Sequence, residues 1–272
     1  MRRLGKRAKH PAMSSLFEAA GMDEGAPRPL ADRLRPKVLE EVVGQEHLIG
    51  PKGPLGRMLA QGHLSSVVFW GPPGTGKTTI ARLLADKVGL HFEPMSAIFS
   101  GVADLKKIFE AARGRRQTGK GTLLFVDEIH RFNRAQQDSF LPVMEDGTVT
   151  LVGATTENPS FELNAALLSR AQVMVLNRLD DAAREELLAR AEAHYGEPLP
   201  LTDDARASLR AMADGDGRYA LNLAEEVHSP SPPEPPATPP LVPPVPRPAP
   251  PSHKRPAGPH HLGSAPPTAT PG

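Results

Sequence analysis

Two short stretches of the chain hold residues whose types and spacing could manage a polyphosphate. The first is Gly71-Pro72-Pro73-Gly74-Thr75-Gly76-Lys77-Thr78, with Thr79 directly behind it. In this glycine-rich pattern backbone N–H groups close around phosphate oxygens, a lysine reaches the outer phosphates, and the next hydroxyl binds Mg²⁺. A helix opening behind the loop adds the partial positive charge of its N-terminus. Lys77 is therefore the expected phosphate cation and Thr78 an expected metal ligand. The second stretch is Leu123-Leu124-Phe125-Val126-Asp127-Glu128. Two carboxylates at the end of an apolar run often do no more than cap a helix. Beside a phosphate loop they can divide the work of hydrolysis, one near the metal and one orienting water. Asp127 is read as the metal-side residue and Glu128 as the base.

These residues need a scaffold that brings them to one edge. Short apolar runs fall at 67–70, 122–126, 149–152 and 172–176, with a weaker one at 91–95. Between them Ile80, Leu83, Leu84 and Val88 recur at helical spacing, as do Leu105, Ile108, Phe109 and Ala112. Continuous apolar runs alternating with helices predict a parallel sheet covered on both faces. In such a sheet the loop after the first strand and the carboxylates after the third meet at the strands' C-terminal ends. Past Leu179 the strand pattern stops. Helices are predicted over 180–194, 202–213 and 216–227, with apolar faces that include Leu187, Leu188 and Ala191, then Ala205, Leu209 and Met212, then Ala220, Leu223, Ala224 and Val227.

The fold class is thus α/β: a P-loop NTPase domain with a parallel sheet over 29–178, followed by a small helical lid over 179–227. A flexible arm at 1–28 precedes them. A proline-rich tail at 228–272 follows, expected to be disordered because it has too little apolar surface to offset the entropy of ordering.

The extra strand at 91–95, with its own helix, and the glutamate following Asp127 resemble the AAA+ ATPases more than small GTPases. Longer tracts narrow the resemblance. They are Pro29-Leu30-Ala31-Asp32-Arg33-Leu34-Arg35-Pro36, Val43-Gly44-Gln45-Glu46-His47-Leu48, Asp127-Glu128-Ile129-His130-Arg131-Phe132-Asn133, and Gly153-Ala154-Thr155-Thr156-Glu157-Asn158-Pro159-Ser160-Phe161. Together they are similar to the replication-associated recombination protein A family. The resemblance implies a Mg²⁺-dependent ATPase with Val43 and Gly44 beside adenine. It implies Thr156 as the polar sensor at the γ-phosphate, with Thr155 and Asn158 as its neighbours. Arg218 would be the lid's sensor arginine, and Arg170 the arginine finger offered to a neighbouring subunit's site. It also implies DNA ends, gaps or forks as partners, a single-strand-binding protein nearby, homo-oligomers, and a cytoplasmic, nucleoid-associated setting. Clamp-loader subunits and Holliday-junction branch-migration motors are the alternatives within the class, and the His130-Arg131-Phe132-Asn133 tract argues against both. A nucleotide-binding module with little turnover is the alternative outside it.

The family continues past its lid into a helical assembly domain, where this sequence turns to proline. A naturally shortened variant or a reading-frame shift near Val227 is expected, and with it an oligomeric state that departs from the family's. The remaining features set bounds. Lysine and arginine number 32 against 31 aspartates and glutamates, so any basic surface must be local. The absence of cysteine excludes disulfides and thiolate metal sites. No apolar run approaches the ~18 residues of a membrane span. The basic start at 1–10 lacks the apolar core of a signal peptide, and Met13 is the favoured first residue. Arg113, Arg115, Arg116 and Lys120 read as a solvated basic loop that could also follow a DNA backbone. His47, His63 and His130 show no metal-ligand spacing.

Overall fold

The computed structural model describes residues 28–229. The expectations for the arm through residue 27, for the alternative start and for the tail from 230 onward lie outside the described residues.

Five strands form one sheet: β1 (Val67–Trp70), β2 (His91–Ser96), β3 (Thr122–Asp127), β4 (Val149–Thr155) and β5 (Gln172–Val175). Their order is β2-β3-β4-β1-β5, and every neighbouring pair is parallel. The apolar runs are continuous because alternate residues serve two separate cores. Val67, Phe69, Leu123, Phe125, Val152 and Ala154 pack on one face with Ile80, Ala81 and Leu84. Val68, Leu124, Val126 and Leu151 pack on the other with Leu105, Phe109, Ala112 and Phe140.

Helices fill the connections. Ahead of the sheet stand α1 (Leu30–Arg33), α2 (Glu46–Ile49) and α3 (Pro54–Ala60); α4 (Lys77–Lys87) follows β1 and α5 (Val102–Gln117) follows β2. The short helices α6 (Arg134–Asp138) and α7 (Phe140–Glu145) lead to β4, and α8 (Pro159–Glu162) and α9 (Ala165–Leu168) lead to β5. The lid is α10 (Asp181–Tyr195), α11 (Asp203–Ala213) and α12 (Gly217–His228). Asp180, Thr202 and Asp216 cap the three lid helices by accepting from the N–H groups of Ala183, Ala205 and Tyr219. Leu30 is fully buried in the lid core with Leu188 and Ala224, so the segment before the sheet packs on the lid.

Three expectations from sequence need correction. As the edge strand, β5 covers only one face: Met174 is buried, whereas Val173 and Val175 are 39% and 45% exposed. Met212 is 57% exposed, and the buried stripe of α11 runs through Leu209 and Ala213 instead. A spacing of four residues keeps those two on one narrow face. Most of the basic tract is helix and not loop: Arg113, Arg115 and Arg116 lie on the last turns of α5, where Arg115 and Arg116 pair with Glu93 and Asp146, and Lys120 alone lies beyond the helix end. No helix among the described residues is long and apolar enough to cross a membrane.

Candidate nucleotide site

A cleft of about 260 Å³ opens between the C-terminal end of the sheet and the lid. Pro73 through Thr79 form its floor, Asp127, Glu128 and Thr156 one wall, and Gly217 and Arg218 the lid side. Ala31, Leu34, Val42, Val43, Leu187 and Leu221 make its apolar end, which suits a flat aromatic base. Residues drawn from widely separated tracts are thus gathered around one space.

The floor is built as its sequence requires. Gly76 stands just before α4 with a φ of 93°, which turns the chain into the helix behind the loop. Lys77 Nζ donates to the carbonyls of Gly71 at 2.8 Å and Pro72 at 2.6 Å, and Thr75 Oγ1 donates to Pro72 O at 3.0 Å. The ammonium therefore lies folded within the loop. Burial pushes its pKa below the ordinary lysine value, opposed by the nearby carboxylates of Glu128, Asp127 and Asp216. A buried cation with only carbonyl partners is well prepared to exchange them for phosphate oxygens.

Val43 lines the apolar end and Gly44 does not. Gly44 serves by absence: a Cβ there would sit 2.7 Å from Leu179 Cδ2, and its φ is 73°. The segment is anchored by Gln45, fully buried, whose side chain donates to Asn177 O at 2.8 Å and accepts from Asn177 N at 3.1 Å. Gly71 and Pro72 lie behind the cleft as acceptors for Lys77.

Thr78 on the floor and Asp127 on the wall present a hydroxyl and a carboxylate to the cleft. Such hard oxygen donors suit Mg²⁺, which binds one or two protein oxygens together with phosphate and water. No three His, Asp or Glu side chains converge as a metal site among the described residues. Glu128 follows with a φ of 53°, one of two non-glycine residues among those described in the left-handed region. Of the three sensor candidates only Thr156 lines the cleft. Thr155 is fully buried against His130, and Asn158 caps α8 by accepting from Ser160 N.

Arg218 reaches the cleft from the first turn of α12, placed there by the Asp216 cap. Arg170 does not line it. Its Nε donates to Glu145 Oε1 at 2.7 Å and its Nη1 to Ala166 O at 2.9 Å, on an exposed turn before β5. Sequence reasoning missed Gln137, a buried amide that donates to Phe132 O and Glu162 O and accepts from Asn164 N. It ties the turn after Glu128 to the α8–α9 segment that precedes Arg170. Sequence reasoning weighed His130 only as a metal ligand and as part of a family tract, and gave it no role beside the Glu128 carboxylate that its ring contacts. The contacts that fix them, His130 to Thr155 and Gln137 to Asn164, lie 25 and 27 positions away and leave no local signal.

A P-loop, paired carboxylates on the next strand but one and a helical lid over the same cleft define an AAA-type ATPase module. Residues 67–179 match the family described as ATPase family associated with various cellular activities (AAA). The chain is 48% identical over 203 residues to replication-associated recombination protein A of Escherichia coli K12, covering 73% of this chain and 45% of that protein. The same-named protein of Coxiella burnetii is 50% identical over 202 residues, covering 72% and 46%. The Holliday junction branch migration motor RuvB of Thermotoga maritima superposes with a TM-score of 0.58 at 30% identity, covering 71% of this chain and 64% of that one. The chain carries an AAA ATPase domain, and over 73% of its length it matches the replication-associated recombination protein A family. It spans about half the length of the curated relatives it matches.

Proposed function

We propose that the chain is a Mg²⁺-dependent ATP-hydrolysing motor that acts on DNA at stalled replication forks, in replication-associated recombination and repair. The observation that carries the reading is the convergence of Lys77, Asp127, Glu128, Thr156 and Arg218 on one cleft. Glu128 orients the attacking water and takes its proton as the bond between the β-bridging oxygen and the γ-phosphorus breaks. Lys77, Thr156 and Arg218, with Arg170 supplied by a neighbouring subunit, bear the charge that develops on the phosphoryl oxygens. Thr78 and Asp127 would hold Mg²⁺, which neutralises charge on the β- and γ-phosphates when bound.

The relatives' names support DNA as the partner, through recombination in two and branch migration in the third. Branch migration is the second reading, favoured by the likeness in fold to the Thermotoga maritima motor. The higher identity to the recombination proteins favours the first. Steady-state ATP turnover, measured alone and with gapped duplex, blunt-ended duplex or a four-way junction, distinguishes them. Stimulation by ends and gaps supports the fork reading, and stimulation by the junction alone supports the second. Turnover indistinguishable from a Lys77→Ala control in every condition overturns both.

A further inference from the structure

We propose that His130, held by Thr155, is the positioning residue for the Glu128 carboxylate, which lies against its Nδ1 at ion-pair distance; this rests on reading Glu128 as the base. His130 Nδ1 lies 3.2 Å from Glu128 Oε2 and 2.9 Å from Thr155 Oγ1. The imidazole is 6% exposed and the glutamate 25%, so water competes little for the contact.

The protons follow from the partners. Thr155 Oγ1 accepts the N–H of Glu157 at 3.0 Å and lies 3.3 Å from Glu157 O, which receives its hydroxyl proton. That leaves a lone pair on Oγ1 facing His130. An ionised carboxylate offers only acceptors. Oγ1 therefore takes the Nδ1 hydrogen of the ring, and the Glu128 carboxylate lies beside the same nitrogen at ion-pair distance. The network therefore fixes His130 with its proton on Nδ1.

The backbone makes the arrangement possible. Glu128 is in the left-handed conformation and starts a 3₁₀ turn over Ile129–Arg131, which brings the ring two residues later back onto the carboxylate. Thr155 ends β4, and Thr156 beside it lines the cleft. A base held in one orientation before substrate arrives needs no ordering during the reaction. His130 touches neither the water nor a phosphate; its effect passes through Glu128.

The test uses steady-state ATP turnover of the intact chain, with nucleotide affinity measured separately by a fluorescent ATP analogue. His130→Ala lowers kcat about tenfold and leaves KM and analogue affinity within about twofold. His130→Asn puts an amide nitrogen where Nδ1 stood and restores most of the rate. His130→Gln puts it where Nε2 stood and restores little. A side chain needed only for packing gives no such ranking, so equal rescue by Asn and Gln, or an unchanged kcat in the Ala variant, overturns the proposal. A wild-type chain without turnover counts against the ATPase reading instead. In that case ¹⁵N spectra of the imidazoles decide about the bond, with the His130 signal assigned by its loss in the Asn variant. A hydrogen on Nδ1 near neutral pH supports the tether, and a neutral ring protonated on Nε2 alone overturns it.

Discussion

The backbone N–H of Gly217 donates to the carbonyl of Gly74 at 3.2 Å, so the first residue of the last lid helix is bonded directly to the phosphate loop. The two glycines meet because each has no side chain. A Cβ on Gly74 would overlap the Asp216 carboxylate, and one on Gly217 would come within 2.8 Å of Leu179 Cδ1 and Leu187 Cδ1. The lid's angle over the cleft is therefore set at the loop that holds the phosphates, and Arg218 follows it as the next residue.

Gly74→Ala should expose this dependence. Its φ of 69° is costly for any residue with a Cβ, by roughly 1–2 kcal/mol, and the collision with Asp216 adds to that. Nucleotide affinity and Tm should both fall. Adding Asp216→Gly removes the collision but not the strain, so the double variant should recover part of the loss. Melting curves and titration with a fluorescent ATP analogue measure both. A single variant as stable and as tight-binding as wild type would mean that the lid does not rest on the loop.

Lys77→Ala should abolish nucleotide binding, because the phosphates lose the buried ammonium. A pH effect on the apo chain has the opposite sign from that of a lysine with a carboxylate partner. Burial lowers the folded-state pKa below 10.5, the ordinary value of a lysine in an unfolded chain. Between the lowered value and 10.5 the unfolded chain binds the extra proton, so rising pH favours the folded state through this group. Denaturant unfolding of wild type and Lys77→Met across alkaline pH should show the difference moving toward wild type. Movement the other way would mean that the carboxylates dominate and that burial does not.

Much of this site was legible in one dimension. The phosphate loop and Asp127-Glu128 carry their chemistry in contiguous residues, and period-two burial of Val67, Val68 and Phe69 follows from an unbroken apolar run. What was not legible depends on pairs closed by the fold. Gln45 reaches Asn177 across 132 positions, and His130 reaches Thr155 across 25. A polar residue of this kind looks solvent-facing until the sheet is assembled. Met212 and Val173 failed for the converse reason. Their apolar character fits a core, but the edge strand and a narrow helix contact leave them outside.

The backbone of Glu128 gives a test that reverses the usual order of two substitutions. Alanine ordinarily stabilises relative to glycine, but at a φ of 53° glycine should win by about 1 kcal/mol. Glu128→Gly should therefore melt above Glu128→Ala, and neither should hydrolyse ATP. Glu128→Gln keeps the side chain's shape and should bind ATP with wild-type affinity while failing to turn it over. Alanine melting higher would refute the left-handed geometry. Near-normal turnover in the Gln variant would remove Glu128 as the base.

Arg170 is the residue whose proposed work lies outside its own chain. It is held on an exposed turn by Glu145 and by the carbonyl of Ala166, away from the cleft that its own chain lines. If it completes a neighbour's site, the lesions in Arg170→Ala and Lys77→Ala fall on different sides of an interface. Each variant alone has no intact interface, but one pairing in a mixture joins an intact cleft to an intact Arg170. Arginine fingers supply ~10³–10⁵ in rate, so turnover in the mixture should stand well above either variant at equal total protein. The excess should grow with concentration, because the competent pair must first associate. Light scattering or crosslinking establishes in parallel that mixed assemblies form. Mixed assemblies without any gain in turnover would take Arg170 out of the site and leave its contact with Glu145 as a surface ion pair.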